Sequence, residues 1–148
     1  MEFYPTDFLE DGEIRLILDR ATGEDPVRQW VPAYHFFICD RQGNRMGVCD
    51  LRIGYNERLY YGGHIGYRVF EPYRGHHYAA KACRLLFALA RKHGMAYLYI
   101  TCNPENTASR RTCETLQGEL LEIAELPDDN DMRVENGETH KCIFRFAL

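Results

Sequence analysis

Apolar and polar residues alternate in short runs through the first half of the chain, the pattern typical of half-buried strands. It predicts strands at Glu13–Asp19, Tyr34–Asp40, Arg45–Gly54 and Tyr61–Phe70. The last run holds glycines at positions 62, 63 and 66, which indicate a bulge or the close approach of another group to the backbone. Residues 20–33 contain one glycine and two prolines, so a loop or a short helix is expected there.

After Pro72 the apolar positions recur at helical spacing. Tyr78–His93 carries its small and apolar residues on one face, and Gly94 is placed to end this helix. The remaining pattern predicts a strand at Ala96–Cys102, a helix from Thr107 to about Leu116 and an antiparallel pair at 119–125 and 139–147. The strand–helix–strand unit at 61–102 implies a parallel pair with a right-handed crossover. The expected fold class is therefore α/β (α+β), with a mixed, mostly antiparallel sheet and flanking helices.

Composition restricts the classes of function. The chain has 148 residues, the usual size of one domain, so residues 1–148 are expected to form a single domain. The formal charge of -4 disfavours a nucleic-acid partner, and no apolar run approaches membrane-spanning length. The first residues do not resemble a signal peptide. The six cysteines match no zinc pattern, so no metal is expected and a reducing cytoplasm is the simplest location.

The most informative stretch is the junction Glu71–Ala80, where a strand passes into a helix. The first amides of a helix lack internal partners and carry the positive end of its dipole. A turn with Gly75 and the small Ala79 lets a phosphate approach those amides, and Arg74 adds positive charge. Taken alone, this pattern is also typical of an ordinary turn between a strand and a helix.

The stretch HIGYRVFEPYRGHHYAAKA, beginning at His64, resembles the central motif of the GNAT superfamily of acetyltransferases. In that superfamily a Q/R-x-x-G-x-G/A loop binds the pyrophosphate of acetyl-CoA. Arg74 matches the first position and Ala79 the last, whereas His77 stands where the family usually has glycine. The resemblance implies that the following residues contact the pyrophosphate: Arg74, Gly75, His76, His77, Tyr78 and Ala79.

A second stretch, NPENTASRRTCETLQG at residues 103–118, resembles the N-x-x-A/S segment of the same family. The resemblance places Asn106 near the pantetheine or the thiol end of acetyl-CoA, and Asn106 is also suited to cap a helix. It further implies that the fourth and fifth strands are parallel and splay apart. The pantetheine arm would then pair like an added strand with the backbone of Tyr67, Arg68 and Val69.

The resemblance implies an N-acetyltransferase that moves an acetyl group from acetyl-CoA directly to a primary amine. His64 lies where several relatives carry a glutamate, and an imidazole titrates near neutrality, so His64 is the predicted general base. Counting seven residues from Asn106, the position of a tyrosine acid in many relatives, leads to Cys113. Its thiol is either an acid that protonates the leaving thiolate or a buried apolar residue. Asp50 and Glu71 are weaker candidates for the base, and a route through acetyl-Cys113 is less favoured.

Two other functions stay open at this point. One is an acetyl-CoA-binding module without catalysis, and the other is a protein N-terminal acetyltransferase. A nucleotide-binding regulator is disfavoured, because the sequence has neither a P-loop nor a Rossmann fingerprint. The expected partner is an amine-bearing small molecule or peptide, and a homodimer remains open.

Overall fold

The computed structural model describes all residues, Met1–Leu148, and contains seven strands and four helices. The elements in chain order are β1 (Ile14–Thr22), β2 (Ala33–Asp40), β3 (Arg45–Arg52), α1 (Glu57–Gly62), β4 (Ile65–Val69), α2 (Tyr78–Lys92), β5 (Tyr97–Cys102), α3 (Thr107–Thr115), β6 (Glu119–Glu125), α4 (Asp131–Asn136) and β7 (His140–Ala147). A single 3-10 turn over Glu71–Tyr73 connects β4 to α2. The structure thus confirms an α+β fold.

The strands form two sheets rather than one mixed sheet. One has the order β1-β2-β3-β4 and the other the order β5-β7-β6, and all five strand pairs are antiparallel. The expected parallel ladder between the fourth and fifth strands is absent. β4 pairs only with β3, and β5 pairs only with β7, so each leaves one edge without a ladder.

The two sheets are joined at His64 and Tyr99, immediately before β4 and within β5. The backbone N–H of His64 donates to the carbonyl of Tyr99 at 2.8 Å, and the N–H of Tyr99 donates to Nδ1 of His64 at 3.0 Å. An imidazole here takes the place of the backbone acceptor that a neighbouring strand would supply. The two strands are therefore held together at His64 and Tyr99, and beyond this contact their facing edges are unpaired.

The predicted fourth strand, Tyr61–Phe70, is wrong over its first residues. They belong to α1, which Asn56 caps by accepting a hydrogen bond from the N–H of Leu59 at 3.0 Å. Gly63 ends this helix with a φ of 80°, a conformation that favours glycine. The glycines at 62 and 63 therefore terminate a helix, and only Gly66 lies within the strand.

Helix α2 covers one face of the four-stranded sheet. Its apolar side buries Ala82, Cys83, Leu86, Leu89 and Ala90, each fully inaccessible to solvent. These residues join the side chains of Tyr34, Phe36, Ile38 and Leu51 from β2 and β3 in one core. Burial of a large apolar side chain is worth about 1.5–3 kcal/mol, so this packing fixes the position of α2 on the sheet. The alternate residues of β2 and β3 point to the opposite, half-buried face.

Two connections outside the core differ in how well they were predicted. Residues 23–32 form a loop with an isolated bridge between Asp25 and Trp30, whereas residues 20–22 of the predicted loop belong to β1 and Ala33 to β2. The acidic loop between the last two strands contains α4, which the sequence did not predict. None of the four helices combines the length and the apolar character that crossing a membrane requires.

Candidate active site

The start of α2 presents a row of backbone N–H groups without protein acceptors. The first helical donor in this region is Lys81, whose N–H bonds the carbonyl of His77 at 3.1 Å, and the N–H groups of residues 75–80 have no partner. Gly75 has a φ of 89° and His77 a φ of 62°, so the chain turns sharply at both positions. Unpaired amides at the positive end of a 15-residue helix favour a negatively charged group.

Arg74 is fixed at the edge of this row. Its Nε donates to the carbonyl of Val69 at 3.0 Å, which ties the loop to the end of β4. The guanidinium is exposed and makes no ion pair, so its remaining N–H groups are free to bind an anion. His76 and Tyr78 lie beside it, with ring centroids 5.4 Å apart. The structure thus brings the residues from Arg74 to Ala79 together at the start of one helix.

A hydroxyl pair connects β4 to α3. The Tyr67 hydroxyl and Oγ of Ser109 are 2.7 Å apart, and the N–H of Ser109 donates to Oδ1 of Asn106 at 3.1 Å. Asn106 is therefore the N-cap of α3, and its side chain fixes the backbone of Ser109, the residue that contacts β4. Arg68 points away and lies over the ring of Phe70, 5.3 Å from its centroid. Tyr67 and Asn106, both predicted to lie near the cofactor, thus belong to one hydrogen-bond network through Ser109.

His64 is fully buried, and both of its ring nitrogens are occupied. Nδ1 accepts from the N–H of Tyr99 at 3.0 Å, so Nε2 carries the proton and donates to the carbonyl of Gly54 at 2.8 Å. Burial lowers the pKa of His64 to about 4. To act as the predicted general base, His64 would have to break a hydrogen bond that joins the two sheets.

Cys113 is also fully buried, in the interior face of α3. Burial raises the pKa of its thiol far above the usual range, and the nearby thiol of Cys102 acts in the same direction. All six cysteines are buried and free. Cys113 therefore behaves as an apolar core residue in this structure, and its low thiolate content gives no support to an acetyl-Cys113 intermediate.

A cavity of about 720 Å³ opens on the half-buried face of the four-stranded sheet. Its walls come from three segments: the loop 23–32, helix α1, and residues 127–132 before and at the start of α4. Arg58 of α1 links the two loops, because its Nε donates to Oε1 of Gln29 at 3.0 Å and its Nη1 to Oδ2 of Asp131 at 2.6 Å. The inner end reaches Gly62 and Gly63, next to the joint between the sheets.

A row of cross-strand partners crosses the sheet from the floor of this cavity. Arg20 and His35 line the cavity, and Asp50 and Gly66 continue the row from β3 to β4. A β-bulge between Leu18 and Arg20 sets the register that brings Arg20 opposite His35. The row leads from the cavity to β4, the strand with the unpaired edge.

Asp50 stands directly over Gly66. Its Oδ1 accepts from the N–H of Gly66 at 3.0 Å and pairs with Nη1 of Arg52 at 3.3 Å. A Cβ at position 66 would lie 3.1 Å from the same oxygen, so the carboxylate occupies the space that a side chain on β4 would fill. The Asp50 side chain is 24% exposed, and it adjoins the cavity through its ion pair with Arg52, which lines the cavity.

Sequence reasoning missed the cavity residues Arg20, His35, Arg52 and Arg58. They carry no short motif, since each comes from a different part of the chain. The available signal was the alternation within the strands, where His35, Asp50 and Arg52 interrupt the apolar pattern on the face turned away from α2. That signal identifies the polar face of the sheet. Knowing which residues lie next to one another on this face also requires the register between the strands.

The family model for the acetyltransferase (GNAT) domain matches residues 1–118, most of the chain. The chain belongs to the GNAT acetyltransferase family. No curated protein shows significant sequence similarity to it.

Solved structures of GNAT proteins share this fold at low identity. The microcin C7 self-immunity acetyltransferase MccE, solved with acetyl-CoA and AMP, has a TM-score of 0.62 at 19% identity, over 78% of this chain and 61% of that one. A putative ribosomal-protein-serine acetyltransferase from Vibrio cholerae has a TM-score of 0.59 at 18% identity, over 82% and 67%. A GNAT-family acetyltransferase from Bacillus anthracis has a TM-score of 0.60 at 20% identity, over 76% and 65%. This chain thus spans about 61% of the length of the first of these.

The geometry of His77 accounts for the departure from the GNAT loop motif. The family usually has glycine at this position, and His77 adopts the left-handed φ of 62° that glycine adopts without strain. The backbone at this position therefore has a conformation that glycine adopts readily, although the residue is histidine. His77 is exposed, and its side chain makes no hydrogen bond across the row of amides.

Proposed function

We propose that this single GNAT domain, residues 1–148, is an N-acetyltransferase that moves an acetyl group from acetyl-CoA to a primary amine. One observation carries the proposal: a row of unpartnered N–H groups at residues 75–80 adjoins β4, whose second edge has no ladder. A diphosphate fits the first feature and an amide-bearing arm fits the second. Acetyl-CoA contains both groups in one molecule.

Several groups of this chain would hold acetyl-CoA. The amides from Gly75 to Ala80 and the Arg74 guanidinium would bind the pyrophosphate. The pantetheine amides would pair with the open edge of β4 at Tyr67, Arg68 and Val69. Asn106 caps α3 and holds Ser109, whose hydroxyl contacts the Tyr67 hydroxyl of β4. The thiol end of the cofactor would lie beside this group of residues.

The acceptor amine would enter through the cavity on the half-buried face of the sheet. In direct transfer the amine nitrogen forms a bond to the acetyl carbon, and the bond from that carbon to sulfur breaks. The nitrogen gives up a proton, and the departing CoA thiolate takes one from solvent. Asp50 is the proton acceptor in this scheme, directly or through one water, because its carboxylate lies between the cavity and β4.

A thiol-release assay tests the proposed function. Purified protein is mixed with acetyl-CoA and a panel of small amines, amino acids, polyamines and peptides, and free CoA is measured along with the mass of the acetylated acceptor. Amine-dependent release of CoA with matching acetylated product is expected. Binding of acetyl-CoA by calorimetry without release with any acceptor would identify a binding module instead. Saturable turnover confined to peptides would identify a protein acetyltransferase.

A further inference from the structure

We propose that the cavity floor recognises a zwitterionic acceptor, a primary amine that carries a nearby anionic group such as an α-carboxylate. The inference rests on the proposed function and concerns its second substrate. It starts from the contacts of Arg52 and Asp50, which lie two residues apart on one face of β3 and form an ion pair at 3.3 Å.

Several hydrogen-bond donors of the Arg52 guanidinium have no partner. Its Nη1 donates to the carbonyl of Gly63 at 3.2 Å and forms an ion pair with Asp50, while Nε and Nη2 have no protein partner. The Gly63 contact fixes the guanidinium at the inner end of the cavity, where the two sheets join. A planar guanidinium held by one corner presents its remaining donors in a fixed geometry suited to a carboxylate or phosphate.

Neighbouring strands add further donors on the same floor. Arg20 lines the cavity, and its only polar side-chain contact runs from Nη1 to Asp19 at 2.8 Å. His35 lies opposite Arg20, with Nε2 3.1 Å from the Thr22 hydroxyl and Nδ1 without a partner. Burial lowers the pKa of His35, and the charge of Arg20 adds to this effect. The cavity floor therefore has more hydrogen-bond donors than the neighbouring protein acceptors can satisfy.

The placement of both charges favours a zwitterion over a simple anion or a simple amine. In an α-amino acid one carbon separates the amine from the carboxylate, so both charges can reach Asp50 and Arg52, whose Oδ1 and Nη1 atoms are 3.3 Å apart. The carboxylate would bind Arg52, with Arg20 and His35 around it, while the amine would lie against Asp50. This orientation directs the amine towards Gly66 of β4, where the thioester is expected.

The test compares acceptors that differ only in the anionic group. Values of kcat/KM are measured for the common L-α-amino acids and for their α-carboxamides, with ethanolamine and O-phosphoethanolamine as a second pair. The best amino acid is expected to exceed its amide by about 10- to 100-fold, the usual effect of a charged hydrogen bond. If the phosphate-bearing amine shows the preference instead, the same subsite takes a phosphate. Equal rates within each pair, or preference for the uncharged member, would overturn the proposal.

Variants separate recognition from a structural role. Arg52→Gln should remove most of the preference within each pair, whereas Arg52→Lys should retain part of it. Arg45→Gln is the matched control, because Arg45 lies on the same strand but stacks over Phe37 outside the cavity. An Arg52→Gln enzyme that loses activity equally on both members of a pair would contradict the assignment.

A binding measurement keeps this test independent of turnover. Calorimetry with CoA present compares an N-acetyl-amino acid with its N-acetyl amide, both of which are potential products. Tighter binding of the acid would support the anionic subsite even if no acceptor released CoA, a result that would count only against the proposed function. Equal binding of the two would count against the subsite.

Discussion

His64 and Tyr99 exchange two hydrogen bonds, one between their backbones and one from the Tyr99 N–H to the His64 ring. The ring accepts at Nδ1, and this requires a neutral imidazole. Protonation of His64 would replace an acceptor by a donor facing another donor, at the only backbone joint between β4 and β5. The joint therefore depends on the protonation state of a buried side chain.

Stability is expected to fall in acid because of His64. Its pKa is lowered from 6.5 to about 4 in the folded state, so the unfolded chain binds the extra proton first. The contribution is complete above pH 6.5 and is lost as the pH falls towards 4, amounting to about 3 kcal/mol. Urea unfolding at several pH values measures it. His64→Asn should reduce this pH dependence, whereas a variant of the exposed His140, His140→Gln, should preserve it.

Asp50→Asn should lower kcat by about 100-fold, the usual order for loss of a general base. Asparagine can still accept from the Gly66 N–H, so the fold should be kept. Steady-state rates at saturating acetyl-CoA test this, with calorimetry confirming that the cofactor still binds. Glu71→Gln, in the turn before α2, is the comparison and should retain nearly full kcat. Equal losses in both variants would remove Asp50 from the mechanism.

Arg74→Ala should weaken acetyl-CoA binding by about 10-fold, since a charged donor to the pyrophosphate is lost. Calorimetric titration with acetyl-CoA and with CoA lacking the acetyl group should show the same loss, because the contact is remote from the thioester. Arg84→Ala removes an exposed arginine farther along α2 and should leave affinity unchanged. Unchanged affinity in Arg74→Ala would exclude this residue from the site.

His77→Gly should stabilise the folded protein by about 1 kcal/mol, because glycine adopts the observed φ of 62° without steric cost. Thermal or urea unfolding at neutral pH measures the change. His76→Gly provides the matched control, since residue 76 does not have a positive φ and gains no such relief. A loss of stability in His77→Gly would show that the imidazole makes contacts that outweigh the backbone strain.

Gly118→Ala should destabilise the protein by about 1–3 kcal/mol through overpacking. A Cβ at this position would lie 2.5 Å from Cζ of Phe146, and the ring belongs to the core. Gly23→Ala adds a methyl group in open space and should be nearly neutral. If the two variants have similar unfolding midpoints, Phe146 can move aside at little cost.

Much of the fold follows from local pattern. The strands β2 and β3 and the helix α2 were predicted almost to the residue, because apolar periodicity and turn residues agree there. Helix α1 was missed, since its glycines and tyrosines also fit a bulged strand and only the Asn56 cap and its contacts with β5 and β7 favour a helix. The division into two sheets depends on long-range pairing that periodicity does not specify.

The candidate site could also be predicted only in part from the sequence. The anion-binding loop at Arg74–Ala79 is continuous in sequence, so a motif was enough to find it. The roles assigned to His64 and Cys113 rested on their positions in a motif, which carry no information on burial. The cavity floor required register across three strands, including the bulge before Arg20, and no short sequence window contains that information.

The burial of every cysteine has a practical consequence for measuring the proposed acetyl transfer. Colorimetric reagents such as disulfide dyes react with accessible thiolates, and none of the six sulfur atoms offers one in the native fold. Colour that develops during turnover should therefore come from liberated CoA, with little background from the polypeptide. Adding denaturant at the end of a run should release all six protein thiols at once, which provides an internal count of enzyme concentration in the same cuvette.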